Sequence, residues 1–250
     1  MPKSSDESLQ ETLDIKSNER ILFLGRTRSG KTFLARYLMR GLKRFAALDP
    51  KGSLGKWKLQ TWDKDSRKLL RDGEPVRVRI ESEPGVDPVD YWESVLRELY
   101  DIGLETGQLF IYLDETFLLS DGNGTRYPRA LRDIWTTGGE KGIGAAAATQ
   151  VPRFIPKYLI TEAEHIFLFR LTLKEHRDYV ADSTDDRLAI PIPKEDRHGF
   201  YYYSIFADDP LYYRQYERAQ GEGWEEIASE ASAGDDHKER EAEHGAMERA

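Results

Sequence analysis

One eight-residue segment, residues 25–32, constrains this chain more than any other. It reads GRTRSGKT, follows an apolar run at residues 21–24, and precedes residues with the apolar spacing of a helix. A glycine-rich turn between a strand and a helix directs backbone N–H groups and the positive end of the helix dipole at phosphate oxygens. The segment therefore predicts a P-loop. We expect the nucleotide to be bound by Gly25, Arg26, Thr27, Arg28, Ser29, Gly30, Lys31, Thr32 and Phe33.

Length and composition favour one domain with polar ends. The 250 residues can bury one sizeable core, and we divide them into a polar leader (1–18), a P-loop domain (19–217) and an acidic tail (218–250) that is either disordered or a marginal helix. Cysteine is absent, which excludes disulfides and thiolate metal sites. Apolar runs fall short of the roughly 18 residues that cross a bilayer, so we expect a cytoplasmic protein that does not span a membrane.

The acidity of the chain is concentrated at its ends. The formal net charge is −8, and residues 219–250 contain ten acidic residues against three basic ones. The central stretch is therefore close to neutral. A negative net charge that comes mainly from the chain ends does not exclude a nucleic-acid partner.

Strand and helix patterns alternate along the central stretch, which predicts an α/β fold with a mainly parallel sheet flanked by helices. The predicted strands lie at residues 21–24, 45–48, 75–81, 109–113, 143–149 and 165–171. The predicted helices lie at residues 31–42, 89–102, 128–136 and 173–181, and residues 200–205 and 211–216 suit a C-terminal hairpin. Ligands of such a sheet bind at the carboxyl ends of the strands.

Two adjacent carboxylates, Asp114 and Glu115, follow the apolar stretch 109–113. A buried strand would bring Asp114 to the edge that faces the P-loop, where it could help to hold Mg²⁺. Thr32 is expected to ligate the same ion, and Lys31 to reach the β- and γ-phosphates of ATP. Glu115 could orient an attacking water, or it could merely cap the next segment. The acid pair favours hydrolysis over phosphate transfer to a metabolite.

Gln150 ends the small-residue segment AAAATQ, which suits a strand packed tightly in the middle of a sheet. Its amide could touch the γ-phosphate and sense its loss. The alternative is a polar strand end without a role.

Four segments together resemble the FtsK–HerA superfamily of DNA-pumping ATPases, and within it the genome-packaging ATPases of tailless, membrane-containing viruses: GRTRSGKT, ALDPKGS, IYLDE and GIGAAAATQVPRFIP. The resemblance spans roughly residues 19–171. It implies a RecA-like sheet with an extra strand between the P-loop strand and the acid strand, a ring of subunits that is usually a hexamer, and double-stranded DNA as the translocated polymer.

The resemblance also implies roles by position. The catalytic and sensor residues would be Lys31, Glu115 and Gln150, the metal ligands Thr32 and Asp114, and the supporting residues Asp49 and Lys51.

One departure concerns the arginine that a neighbouring subunit would supply to the γ-phosphate. Relatives commonly carry arginines before the sensor strand, whereas Thr137 and Gly139 stand there in this chain. A trans arginine is worth about 10³–10⁵ in turnover. The remaining candidates are Arg129, Arg132, Lys141 and Arg153, of which Arg132 is preferred; a solvated helix arginine is the alternative.

DNA contact is expected from the loop at residues 120–129, which we interpret as flexible and which carries Arg126 and Arg129. Contacts of arginine with phosphate would be independent of sequence and sensitive to salt. An ordinary surface loop is the alternative.

The function that the resemblance implies is an ATP-driven DNA translocase that packages a viral genome into a preformed capsid. It would act in the host cytoplasm or at the packaging vertex of the virion, with a capsid-vertex or membrane-associated viral protein as its partner. A plasmid-transfer or phage-extrusion motor of the same superfamily is an alternative. A small-molecule P-loop kinase is another, and the combination of Glu115 with Gln150 argues against it.

Overall fold

Strands and helices alternate along most of the chain. The computed structural model describes Leu13, residues 15–39, Leu42 and residues 44–51, 59–78, 85–218 and 221–227. The strands are β1 Arg20–Leu24, β2 Phe45–Leu48, β3 Leu59–Gln60, β4 Val76–Val78, β5 Leu109–Leu113, β6 Ile143–Thr149, β7 His165–Phe169, β8 Phe200–Ser204, β9 Leu211–Arg218 and β10 Gly221–Ile227. The α-helices are α1 Lys31–Leu38, α2 Lys64–Arg71, α3 Pro88–Thr106, α4 Arg129–Thr137, α5 Tyr158–Thr161 and α6 Lys174–Ala181.

The strands of the described residues form one sheet in the order β10-β9-β8-β7-β1-β6-β5-β2-β4-β3. All neighbours from β7 to β3 are parallel. β6 is hydrogen-bonded to both β1 and β5, so one strand lies between the P-loop strand and the acid strand. This confirms the α/β prediction and the extra strand that the resemblance implied. The carboxyl ends of β1, β5 and β6 meet at one edge of the sheet.

Three antiparallel strands extend the sheet beyond β7. β8 pairs with β7 and β9 pairs with β8, which confirms the C-terminal hairpin. β10 pairs with β9 over seven residues. We expected the tail to be disordered or helical from residue 218, and for Gly221–Ile227 the structure differs: pairing satisfies backbone N–H and C=O groups that β9 would otherwise leave open at the sheet edge. The rest of the tail lies outside the described residues, as does most of the leader.

Each face of the sheet is covered by helices. Alternate residues of β1 point to opposite faces, Leu22 and Leu24 to one and Ile21 and Phe23 to the other. Buried residues of α3 and α4 pack on the first face, and those of α1 pack on the second. Among the described helices, α1 is the one whose buried residues pack on the second face.

Four of the described strands and α-helices were not predicted: the strands β3 and β10 and the helices α2 and α5. The start of α2 had a visible signal, because the Asp63 side chain accepts hydrogen bonds from the backbone N–H groups of Asp65 and Ser66 and forms a capping box with Ser66. The strand predicted at 75–81 is observed over Val76–Val78, and the residues that follow it lie outside the described part. No described helix has the length and apolar character to cross a membrane.

Candidate nucleotide site

The P-loop connects β1 to α1 and is fixed between the ends of two other strands. The backbone N–H of Gly25 donates to the carbonyl of Thr149 at 3.2 Å, and that of Arg26 donates to the carbonyl of Arg170 at 3.1 Å. Gly25 has a φ of 154°, and a Cβ at this position would lie 2.6 Å from Cβ of Phe169. Only glycine satisfies both constraints, so the first glycine of the motif is required by conformation and by packing.

Lys31, the first residue of α1, is buried and turned onto its own loop. Its Nζ donates to the carbonyl of Gly25 at 2.6 Å and to that of Arg26 at 3.2 Å. Burial lowers the pKa of Lys31, and the nearby carboxylates of Glu115 and Asp114 oppose that shift. The two carboxylates therefore lie close enough to act on the Lys31 charge.

The other predicted loop residues differ in exposure. Ser29 is buried, and its Oγ has no hydrogen-bond partner among the described residues. Thr32 is half-buried at the start of α1, whereas Phe33 is 45% exposed. Arg28 is exposed and adopts a left-handed conformation with a φ of 61°. A buried hydroxyl without a partner in a loop of this shape leaves a donor for a ligand.

Asp114 follows β5 and is buried. Its backbone N–H donates to the carbonyl of Leu48 at 3.0 Å, which fixes the end of β5 to the end of β2. The hydroxyl of Tyr112 donates to Asp114 Oδ1 at 3.0 Å. Burial raises the pKa of Tyr112 well above 10, so the phenol stays protonated and keeps its donor role. The carboxylate is thus oriented by a buried neutral group.

Glu115 is held in a strained position by two side chains. Its φ is 51°, and Arg28 is the only other non-glycine residue with a positive φ among the described residues. Gln150 Nε2 donates to Glu115 Oε1 at 2.5 Å, and Lys51 Nζ lies 3.4 Å from the same oxygen. Strain at a site residue persists only when its surroundings enforce it, and here a hydrogen bond and an ion pair do so.

Gln150 connects the acid pair to the P-loop. While its amide nitrogen donates to Glu115, its Oε1 accepts a 2.5 Å hydrogen bond from Thr27 Oγ1. The structure therefore brings together residues from the ends of β1, β5 and β6. The sequence predicted each of them separately.

Asp49 and Arg77 form a buried ion pair behind the site. Arg77 Nε and Nη2 lie 2.9 and 2.8 Å from Asp49 Oδ2, and the two side chains are 6% and 0% exposed. Asp49 follows β2, next to the end of β5, so this pair fixes the strand that supports Asp114. The geometry suits a supporting role.

The arginine candidates occupy different parts of the surface. Arg129 is the first residue of α4 and Arg132 lies nearly one turn later; both are exposed. Arg153 is 3.2 Å from Glu175 in an exposed ion pair. Lys141 precedes β6, at the edge of the sheet opposite the P-loop, where its Nζ donates to the hydroxyl of Tyr100. Lys141 is therefore remote from the site of its own chain.

The loop at residues 120–129 is internally hydrogen-bonded, whereas a flexible loop was predicted. Asp121 Oδ1 accepts from the backbone N–H groups of Asn123 and Thr125 at 3.1 Å, and the hydroxyl of Thr125 donates to Asp121 Oδ2. These bonds lower the pKa of Asp121 to about 2. Arg126 lies 2.6 Å from Asp87 and 3.2 Å from Asp90, so much of its charge is already offset. Arg129 is exposed at the end of the loop.

One neighbour of the P-loop, His198, could not be identified from the sequence. A Cβ at Gly30 would lie 3.5 Å from His198 Nδ1, although the two residues are far apart in the chain. The ion pair of Lys51 with Glu115 likewise had no signal in the sequence.

The donor set of the site fits Mg²⁺. Thr32 offers a hydroxyl and Asp114 a carboxylate, which are the oxygen ligands that this ion takes beside water and phosphate. In the part of the chain that the structure describes, no group of three or more His, Cys, Asp or Glu side chains could hold a metal ion. An ion at Thr32 and Asp114 would thus need phosphate oxygens to complete its shell.

Comparison with known proteins gives matches among solved structures. No family model and no curated protein matches the chain. The genome packaging NTPase B204 from Sulfolobus turreted icosahedral virus 2, in complex with ATP-gammaS, is similar with a TM-score of 0.65 and 15% identity over 79% of this chain and 98% of that one. Its complex with sulfate gives a TM-score of 0.67 and 14% identity over 79% and 96%.

A secretion ATPase has the same fold in part of its length. The cytoplasmic domain of the Thermomonospora curvata Type VII secretion ATPase EccC is similar with a TM-score of 0.55 and 14% identity over 82% of this chain, which spans 25% of that protein. The chain therefore has the fold of these P-loop NTPases. The resemblance that the sequence motifs indicated is confirmed at the level of the fold.

Proposed function

We propose that this protein is an ATP-hydrolysing motor that translocates double-stranded DNA and packages a viral genome into a preformed capsid. The proposal rests on one observation above all, the contact of Gln150 with both Thr27 and Glu115. This contact unites a phosphate-binding loop, an acid pair and a sensor amide in one site. The genome-packaging NTPases of the same fold support the choice of cargo.

Binding of ATP would redirect the Lys31 ammonium. Its two hydrogen bonds to loop carbonyls would be exchanged for bonds to the β- and γ-phosphates, and the backbone N–H groups at the start of α1 would bind the remaining phosphate oxygens. Thr32 and Asp114 would hold Mg²⁺, which supplies positive charge where the leaving oxygen becomes negative. This arrangement lowers the cost of charge that develops in the transition state.

Glu115 would orient the attacking water and accept its proton. Its carboxylate is oriented by Gln150 and by Lys51, so its position depends on the sensor strand as well as on β5. A positioned base of this kind contributes about 10²–10⁴ to the rate. The alternative, that Glu115 only caps the turn Thr116–Leu119, does not account for its contact with Gln150.

A short path leads from the sensor to the loop with the candidate DNA contacts. Gln150 is followed by the turn Pro152–Phe154, and Tyr127 OH donates to the Phe154 carbonyl at 2.8 Å. A Cβ at Gly124 would lie 2.6 Å from that same carbonyl oxygen. A shift of Gln150 on loss of the γ-phosphate would therefore act on the loop that precedes Arg129.

The oligomer and the partners belong to the same proposal. We assign Arg132 as the arginine that completes the site of the next subunit, in a ring of six. The capsid vertex or a membrane-associated viral protein would be the docking partner, in the host cytoplasm or at the packaging vertex of the virion.

ATP hydrolysis by the purified protein, measured as phosphate release with and without duplex DNA over a range of protein concentrations, tests the motor. We expect DNA to stimulate the rate and the rate per subunit to rise with protein concentration as rings assemble. Glu115→Gln should lower the rate by about 10²–10⁴. The matched control Glu140→Gln changes an exposed glutamate at the opposite edge of the sheet and should leave the rate unchanged.

A rate that is proportional to protein concentration and indifferent to DNA would contradict the motor and favour a monomeric kinase. A plasmid-transfer or phage-extrusion motor would give the same DNA-stimulated hydrolysis in this assay. Uptake of DNA into purified capsids distinguishes packaging from those two cargoes.

A further inference from the structure

The segment before β8 reaches the edge of the sheet where the P-loop lies. β8 is antiparallel to β7, so it begins where β7 ends, and Phe200 is the partner of Phe169. His198 lies two residues before Phe200 and is half-buried. A Cβ at Gly30 would meet His198 Nδ1 at 3.5 Å and His198 Cβ at 3.7 Å. The imidazole therefore packs against the last loop residue before α1.

Buried contacts fix this approach. Tyr212 OH donates to Asp196 Oδ2 at 2.5 Å, and both residues are buried. A Cβ at Gly199 would lie 2.8 Å from the Tyr212 hydroxyl oxygen, so the backbone beside His198 is packed directly on β9. The position of His198 is thus set by the sheet and not by an open loop.

The order of the strands shows which part of a nucleotide would lie near His198. The acid pair and Gln150 lie at the ends of β5 and β6, on one side of β1. The γ-phosphate of ATP must face that side, because that is where the groups for hydrolysis are. The triphosphate then follows the loop, and the ribose and base leave it on the other side, which β7 and β8 occupy. Phe33, on the first turn of α1, is 45% exposed.

We propose that His198 contacts the nucleoside part of the bound nucleotide, its ribose and base, and that it is a specificity-determining residue of the site. The inference rests on the proposed function in that it takes ATP as the ligand. An imidazole beside a purine supplies ring contact and a hydrogen-bonding nitrogen, whereas the triphosphate is bound by the P-loop. His198 should therefore affect affinity for the nucleoside and not for the phosphates.

Two calorimetric titrations of the full-length protein test this assignment, one with ATP and one with inorganic tripolyphosphate, which lacks the nucleoside. His198→Ala is expected to weaken ATP binding by about fivefold to tenfold, since a ring contact is worth up to about one factor of ten. Its affinity for tripolyphosphate should equal that of the wild type. The hydrolysis KM should rise by a similar factor while kcat stays unchanged. Glu195→Ala, at an exposed position in the same segment, is the control and should alter neither affinity.

Equal loss of ATP and tripolyphosphate affinity would show that His198 only supports the P-loop, and would overturn the proposal. Unchanged ATP affinity would overturn it as well. If His198→Ala does not fold, the same titrations on His198→Gln decide. If DNA stimulates ATP hydrolysis by the wild type while His198→Ala binds ATP as tightly as the wild type does, this inference alone is refuted. If the wild type binds neither ATP nor tripolyphosphate, the proposed function is refuted.

Discussion

The side-chain nitrogen of Gln150 lies 2.5 Å from Oε1 of Glu115, across the boundary between two neighbouring strands. The same amide accepts from Thr27, so one side chain is bonded to the loop that would hold the γ-phosphate and to the carboxylate that would activate water. Gln150 therefore contributes to the position of Glu115 in addition to any contact with phosphate. In the proposed mechanism, this double contact would make β6 part of the catalytic arrangement.

Removal of the Gln150 amide should slow hydrolysis and leave binding intact. Gln150→Leu deletes a hydrogen bond to a charged group, which is worth about 1.5–3 kcal/mol, so we expect kcat to fall roughly tenfold to a hundredfold. ATP affinity should change little because the P-loop contacts remain. Phosphate release and equilibrium nucleotide binding measure the two quantities. Gln108→Leu, an exposed glutamine before β5, is the control, and an unchanged kcat in Gln150→Leu would show that the contact is incidental.

The buried charge of Lys31 should cost stability in the nucleotide-free protein. Burial lowers its pKa below the ordinary 10.5, so the unfolded chain binds the proton more tightly and the penalty diminishes as the pH rises through the folded-state pKa. Lys31→Met is expected to raise the free energy of unfolding by about 0.5–2 kcal/mol near neutral pH and to abolish ATP binding. The stabilisation should shrink as the pH approaches 10.5. Urea unfolding at several pH values measures it, with the exposed Lys157→Met as control.

Loss of either partner of the buried Asp49–Arg77 ion pair should strongly destabilise the protein. Asp49→Asn or Arg77→Met alone leaves a charge without its partner, and we expect each to lower the free energy of unfolding by about 3–5 kcal/mol. The double variant should lose less than the sum of the two. Urea unfolding tests this. Glu105→Gln, which breaks the exposed pair with Arg71, should cost under about 1 kcal/mol, and similar losses at both sites would mean that burial is not the cause.

Arg132 can be tested by mixing two inactive variants. If it acts on the next subunit, Arg132→Ala and Glu115→Gln should each lower hydrolysis, the former by about 10³–10⁵. A mixture should regain activity, because some interfaces then combine an intact Glu115 with an intact Arg132. Hydrolysis by the mixture remaining at the level of the separate variants would exclude a trans role for Arg132. Arg129→Ala mixed with Glu115→Gln then tests the neighbouring candidate.

The two loop arginines should differ in their effect on DNA. Arg129 is exposed and lies at the N-terminus of α4, where a cation does not stabilise the helix, so Arg129→Ala should fold normally. We expect it to weaken duplex binding and to reduce the slope of log affinity against log salt by about one. Arg126→Ala should have the smaller effect, since Asp87 and Asp90 already offset that charge. The reverse order would indicate that Arg126 leaves its ion pairs to bind DNA.

Much of the fold was predictable because its strands are short apolar runs with clear ends. β5 and β6 have the predicted limits, Leu109–Leu113 and Ile143–Thr149. The predicted helix at 31–42 is shorter, since α1 ends at Leu38. β3 was missed because two residues of strand have no pattern of their own. Pairing with β4 gives β3 its structure, and that contact is not local in sequence.

The residues of the site were predictable, but their contacts were not. The P-loop and the acid pair follow from local patterns, because each comes directly after a predicted strand and must therefore lie at its carboxyl end. The ion pair between Lys51 and Glu115 and the packing of His198 on Gly30 join residues that only the strand order brings together. The ion pairs of Arg126 with Asp87 and Asp90 likewise required the position of α3.

β6 separates the strand that leads to Lys31 from the strand that leads to Glu115, and its register is locked to both of them. A magnesium triphosphate bound by both the P-loop and the acid pair would connect β1 to β5 across the carboxyl end of β6. Relative sliding of the two halves of the sheet would then have to shear β6 against one neighbour or the other. The alanine-rich strand β6 should therefore shift whenever either neighbour moves. We expect Gln150, at its carboxyl end, to be displaced between nucleotide states.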